Sequence, residues 1–232
     1  MEIIPGIHQI DGVNGNSYLL IRDGITVIDT GIPGSGKKIL AYIREKLHRE
    51  PGDIQTIIIT HFHMDHTGGV GDLKKAAPGA RVAIGRDDAG YVNGGTPKPA
   101  YPGIGGVLLR IAEKVMHPPA FRPDILLDDG DMIAGLRCIR IPGHTPGSIG
   151  LLDEQSRVFF AGDLLRYDGT SLAEGPAGFT MDLEGSRHSI RTLTTLSFSF
   201  LLPGHGVPCR EDAGGKVRAF AASLPPPVKE GT

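Results

Sequence analysis

The chain has 232 residues, 40% hydrophobic and 22% charged, which supports a buried core and excludes wholesale disorder. Lys and Arg total 24 against 26 Asp and Glu, so the formal net charge of −2 leaves no global basic footprint for nucleic acid. No apolar run approaches the roughly 18 residues a membrane helix needs, and two cysteines, Cys138 and Cys209, make no disulfide framework.

Residues 1–10 lack a basic start followed by a long apolar run, so no secretory signal is expected and a cytoplasmic protein is. Short β-type runs at 7–10, 17–21 and 25–28, separated by Gly12, Gly15 and Gly24, predict a meander. Ser35 is placed to cap a helix over 37–48, with Ile39, Ile43 and Leu47 on one face. The run 54–60 contains Ile57, Ile58 and Ile59 in succession, which fits a strand covered on both faces. A helix over 70–77 and a strand over 80–84 follow. Residues 91–106 are rich in Gly and Pro and read as loop, and 107–117 as an amphipathic helix. Strands are expected at 125–127 and 136–141, and a hairpin from 149–152 and 158–161. Asp182 is placed to cap a helix reaching residue 196; a strand at 200–202 and a helix over 211–223 complete the chain. Strands in both halves with helices between them predict two sheets packed face to face with helices outside, in one domain.

The chemistry concentrates in His61-Phe62-His63-Met64-Asp65-His66, which directly follows the buried run 54–60. Four metal-ligand side chains within six residues are a specific signal. In an extended loop His61, His63 and Asp65 point one way and His66 another, so one run can serve two adjacent metals. Zinc takes four ligands, and a catalytic site keeps one position open, so partners are needed. His144 in Pro142-Gly143-His144, Asp163 in Ala161-Gly162-Asp163 and His205 in Pro203-Gly204-His205 each follow an apolar run and small residues. Strand ends meeting at one edge would gather these side chains.

In order, Asp29, His61-x-His63-x-Asp65-His66, His144, Asp163 and His205 resemble the pattern of the metallo-β-lactamase superfamily. The resemblance implies an α/β fold, a four-layer αββα sandwich with its metal site at one edge of two sheets. It implies a first metal on His61, His63 and His144, a second on Asp65, His66 and His205, and Asp163 between them. Asp29 orders the loop without being a ligand. Two divalent metals are implied, zinc foremost, with iron or manganese as alternatives. Two cations about 3.5–4 Å apart hold a shared hydroxide that attacks a carbonyl. Asp65 is the catalytic carboxylate that orients the hydroxide and passes a proton to the leaving group. Thr60 and Thr67 flank the motif and are placed to hydrogen-bond there.

Departures from the pattern narrow the activity. Position 63 is His, not the Glu that goes with di-iron flavoprotein oxidases, and position 163 is Asp, where most metallo-β-lactamases proper carry Cys. Lactonases of the superfamily place a catalytic Tyr three residues after the bridging Asp; here that position is Arg166, and Tyr167 follows it. Tyr167 and Arg166 are therefore candidate substrate-binding residues, Arg166 for a substrate carboxylate. Few residues follow His205 compared with the helical extension that binds glutathione in glyoxalase II, so specificity for glutathione thioesters is not expected. The expectation is a hydrolase of a small ester, thioester, lactone or β-lactam. The alternatives are a mononuclear iron persulfide dioxygenase and, behind it, a nuclease. The partner is a small-molecule substrate, with no nucleic acid or membrane. Residues 91–123, with Tyr101, Ile104, Leu108 and Phe121 among Gly and Pro, are a candidate lid. Exposure of that segment would favour a homodimer. His8, His48, His117 and His188 match no motif position.

Overall fold

The chain divides into two units, Met1–Asp128 and Asp129–Thr232. The computed structural model describes residues 1–97, 107, 111, 114–116 and 120–226.

The first unit is built on a seven-stranded sheet in chain order: β1 (Glu2–Ile4), β2 (Ile7–Gln9), β3 (Tyr18–Ile21), β4 (Ile25–Ile28), β5 (Ile54–Ile59), β6 (Arg81–Gly85) and β7 (Ile125–Leu127). Short turns join β1 to β2 and β3 to β4, and a longer loop over 10–17 joins β2 to β3; all four strands are successively antiparallel, and the predicted meander gains β1. Strands β4 to β7 are parallel, and parallel neighbours need crossover connections. Helix α1 (Ser35–Glu45) crosses from β4 to β5, and α2 (Met64–Thr67) with α3 (Val70–Ala76) crosses from β5 to β6. Ile39 and Ile43 of α1 and Val70 and Leu73 of α3 share one core with Val27, Ile57, Ile59 and Val82. Ile57, Ile58 and Ile59 are all buried, so both faces of β5 are shielded, as the β-branched run predicts.

Ser35 does not cap α1. The chain enters the helix through Gly34 at φ 89, and Ser35 already lies in the first turn with its side chain buried. A capping side chain needs extended backbone at the cap position, which a left-handed Gly34 does not provide. After β6 a short helix, α4 (Ala89–Val92), replaces the start of the predicted loop. Residues 107, 111 and 114–116 are helical. Residues 98–106, 108–110, 112–113 and 117–119 of the candidate lid, Tyr101, Ile104 and Leu108 among them, lie outside the described residues. Phe121 packs against the first unit's core, and its N–H donates to the Val92 carbonyl at 3.0 Å.

The second unit has a five-stranded sheet ordered β14-β11-β10-β9-β8 and a separate two-stranded ribbon, β12-β13. The strands are β8 (Met132–Ile133), β9 (Leu136–Arg140), β10 (Ile149–Asp153), β11 (Val158–Gly162), β12 (Leu165–Tyr167), β13 (Leu172–Glu174) and β14 (Phe200–Pro203). Strands β8 to β11 are successively antiparallel, and β14 lies parallel to β11. Helix α5 (Leu183–Leu193) is capped by Asp182, whose carboxylate accepts from the Gly185 N–H at 2.9 Å, as predicted. Ile190 and Leu193 of α5, with Ala213 and Val217 of α6 (Ala213–Ser223), pack on Ile139, Phe159 and Leu201. Strands β8, β12 and β13 have three residues at most, too short to show an alternating pattern. Among the described residues no helix is long and apolar enough to cross a membrane.

Candidate metal centre

In the first unit the site forms where parallel strands end. Strands β4, β5 and β6 run the same way, so the residues after each emerge at one edge of the sheet. That edge receives Asp29 after β4, Thr60 to His66 after β5 and Asp88 beyond β6. The HFHMDH run does not stay extended. It turns helical at Met64, and the His63 carbonyl accepts from the N–H groups of His66 and Thr67 at 3.0 and 3.1 Å. Asp65 and His66 therefore sit on a helical turn, and alternation along an extended loop does not set where Asp65 points.

Asp29 organises this edge. Its Oδ1 accepts the Thr60 N–H, and its Oδ2 accepts both the Thr60 hydroxyl and the His66 Nδ1–H, each at 2.8 Å. All three residues are buried. Because Thr60 gives its only hydroxyl proton to Asp29, its oxygen accepts from His61 Nδ1–H, 3.1 Å away. Neutral His61 and His66 thus carry their protons on Nδ1 and their lone pairs on Nε2. His61 Nε2 lies 3.0 Å from His63 Nδ1, and His66 Nε2 lies 3.9 Å from Asp65 Oδ2. The His61 and His66 rings stand 4.1 Å apart.

Two further groups hold the run. The fully buried Asp88 accepts the Phe62 N–H at 2.9 Å, and the Phe62 ring stacks on Tyr91 at 4.4 Å. Nothing in the sequence near Asp88 marks it, since an Asp opening a short helix reads as a cap. Thr67 donates its hydroxyl to the His63 carbonyl at 3.1 Å.

In the second unit the strand directions do the same work. Strand β9 runs the same way as β11, because both are antiparallel to β10, and β14 is parallel to β11. His144, Asp163 and His205, which follow these strands, therefore come together at one edge. His144 Nε2 and His205 Nε2 lie 3.6 and 3.3 Å from the same atom, Asp163 Oδ2. His144 and Asp163 are buried, whereas the His205 side chain is 31% exposed. On the far side of its ring His144 Nδ1 meets the Thr180 hydroxyl at 3.1 Å.

The donor chemistry fits divalent cations. The Nε2 lone pairs of His66 and His144 face carboxylate oxygens of Asp65 and Asp163, 3.9 and 3.6 Å away, and such pairs repel unless something positive joins them. Ring protons held on the opposite nitrogen by Asp29, Thr60 and Thr180 are the arrangement that makes histidine a ligand.

Arg166 and Tyr167 lie on β12, in a ribbon anchored beside His205. The Val207 N–H donates to the Tyr167 carbonyl at 2.8 Å. Gly206, at φ 91, permits this approach: a Cβ there would stand 2.2 Å from the Tyr167 carbonyl oxygen. At the ribbon's tip the backbone N–H groups of Ser171 and Thr170 hold the Asp168 carboxyl below the usual aspartate range. Arg166, Tyr167, Leu172, Ala173 and His205 line a cavity of about 320 Å³. The Tyr167 hydroxyl donates to the Gly169 carbonyl at 2.8 Å, and Arg166 Nε donates to the Glu174 carbonyl at 3.3 Å. The remaining guanidinium nitrogens give Arg166 the capacity for a carboxylate.

The chain is similar to known proteins. The model of the metallo-beta-lactamase superfamily matches residues 10–205. The protein YobT of Bacillus subtilis is 32% identical over 204 residues, 82% of this chain and 82% of YobT. The hydroxyacylglutathione hydrolase GloC of Haemophilus influenzae is 26% identical over 211 residues, 89% of this chain and 90% of GloC. A metallo-beta-lactamase from Cronobacter sakazakii, solved as a HARLDQ-motif mutant, matches with a TM-score of 0.67 at 27% identity, covering 88% of this chain and 79% of that one. The α/β fold is that of the solved metallo-beta-lactamase, and the chain belongs to the metallo-beta-lactamase superfamily.

Proposed function

We propose that this protein is a binuclear metallohydrolase, with zinc as its metal, that cleaves a small ester, thioester, lactone or β-lactam. The observation that carries the reading is the fixed orientation of the histidines: His61, His66 and His144 are each held at Nδ1 by Thr60, Asp29 and Thr180. The ligand assignment follows the family motif. His61, His63 and His144 would hold one metal, Asp65, His66 and His205 the other, and Asp163 both. When bound, such metals supply water deprotonated at neutral pH and polarise a carbonyl. The Asp65 carboxylate, with its side chain 26% exposed, then orients the attacking water and carries its proton to the departing oxygen, sulfur or nitrogen. Buried Asp29 and Thr60 do no chemistry; they keep the donors in register.

Elemental analysis of protein purified without chelator or affinity metal tests the reading. Close to two zinc equivalents per chain are expected, with hydrolysis abolished by chelator and restored by zinc. One equivalent of iron, with oxygen uptake on a persulfide, would replace the hydrolase with a dioxygenase.

The cavity beside His205 suits a substrate carrying a carboxylate against Arg166. Arg166→Gln should raise KM for carboxylate-bearing esters about 10-fold, the effect of losing one charge-assisted hydrogen bond. Neutral esters should be unaffected. Equal effects on both classes would remove Arg166 from recognition.

A further inference from the structure

We propose that Thr180 is a positioning residue that fixes the tautomer of His144 and thereby makes its Nε2 a metal donor; the metal-binding half of this rests on the hydrolase reading. Thr180 follows a single helical turn at Ala177–Phe179, is buried, and carries no metal-binding motif in its sequence. Its one hydroxyl proton goes to the Pro176 carbonyl at 3.1 Å. The same oxygen lies 3.1 Å from His144 Nδ1, so it accepts there, and Nδ1 must be the protonated nitrogen. The lone pair is left on Nε2, the atom 3.6 Å from Asp163 Oδ2.

The surrounding backbone holds this arrangement. The Met181 N–H donates to the His144 carbonyl at 3.1 Å, and the Asp182 N–H to the Gly143 carbonyl at 2.8 Å. Residues 181–182 are thus joined to the His144 segment by main-chain bonds that no Thr180 substitution removes. The hydroxyl is then the part of Thr180 that selects the tautomer. It plays for His144 the role that Thr60 plays for His61: each threonine donates to a fixed acceptor and receives the imidazole proton.

The test compares Thr180→Val, which keeps the shape and removes the hydroxyl, with Thr180→Ser, which keeps the hydroxyl. Zinc affinity is read by chelator competition. The His144 tautomer is read from ring nitrogen shifts of metal-free protein, assigned by their loss in His144→Gln. Thr180→Val should bind zinc about 10- to 100-fold more weakly and move the His144 proton to Nε2. Thr180→Ser should stay within about threefold of wild type and keep Nδ1–H. Wild-type affinity with Nδ1–H retained in the valine variant would overturn the proposal, as would a serine variant as weak as the valine one. If no variant takes up zinc, the hydrolase reading fails separately, and the spectrum of the metal-free protein still decides the role of Thr180.

Discussion

Asp29→Asn is expected to lower kcat/KM about 100-fold and to deplete bound metal, with the fold retained. The carboxylate accepts three hydrogen bonds in a buried setting. An asparagine can serve the Thr60 N–H with its oxygen, but its NH₂ then faces the Thr60 hydroxyl and the His66 Nδ1–H. The least costly relaxation turns both histidines. His66 moves its proton to Nε2. Thr60 rotates to accept from the amide and gives its own proton to His61 Nδ1, which drives the His61 proton to Nε2 as well. One atom change thus removes two donor lone pairs from opposite ends of the motif. Leaving the buried donors unpaired instead would cost about 1–3 kcal/mol each. Zinc content, measured beside kinetics and far-ultraviolet circular dichroism, checks this. A variant with wild-type metal and kcat/KM within threefold would show that Asp29 does not govern the donors.

Gly143→Ala should be the most destabilising single methyl addition in the second unit. Gly143 immediately precedes His144 and has φ 130. A Cβ there would lie 2.1 Å from the Ser186 backbone nitrogen and 2.4 Å from its Cα, in the first turns of α5. Neither is the end of a flexible side chain, so either the helix or the His144 segment must move. Positive-φ strain and overpacking together cost on the order of 3 kcal/mol. At about 2–4 °C per kcal/mol for a chain of this size, Tm should fall roughly 6–12 °C. His144 shifts with its neighbour, so metal affinity should fall too. Gly178→Ala is the control: a Cβ there meets nothing within 4 Å, and its φ is not positive. Thermal unfolding of the two variants side by side is the measurement, and equal Tm values would contradict the close-packing argument.

Much of the site is legible in the chain because it is written locally. His61, His63, Asp65 and His66 occupy one short run, and His144, Asp163 and His205 each follow an apolar strand and a small residue. Short Gly-bounded runs announce the meander, and the isoleucine run announces a strand shielded on both faces. The Ser35 cap fails because the left-handed entry at Gly34 is a backbone property that the identity of Ser35 does not encode. The β12–β13 ribbon escapes notice because three-residue strands carry no period. The helical turn at Met64 escapes notice because four residues are too few to show a helical face.

What the sequence by itself determined is the inventory of donors, their order, the family and the order of the longer strands and helices. These follow from residue chemistry and short-range periodicity, which fold locally. Only the tertiary structure decided which nitrogen His61, His66 and His144 present. Asp29 and His66 are 37 residues apart, and His144 and Thr180 are 36 apart. An Asp after a strand or a Thr in a turn has no local signature of the imidazole it will hold. Each pairing exists only once the strands of its own sheet, parallel in the first unit and two apart in an antiparallel sheet in the second, deliver their ends to one edge of that sheet, where the loss of water makes each hydrogen bond choose one partner.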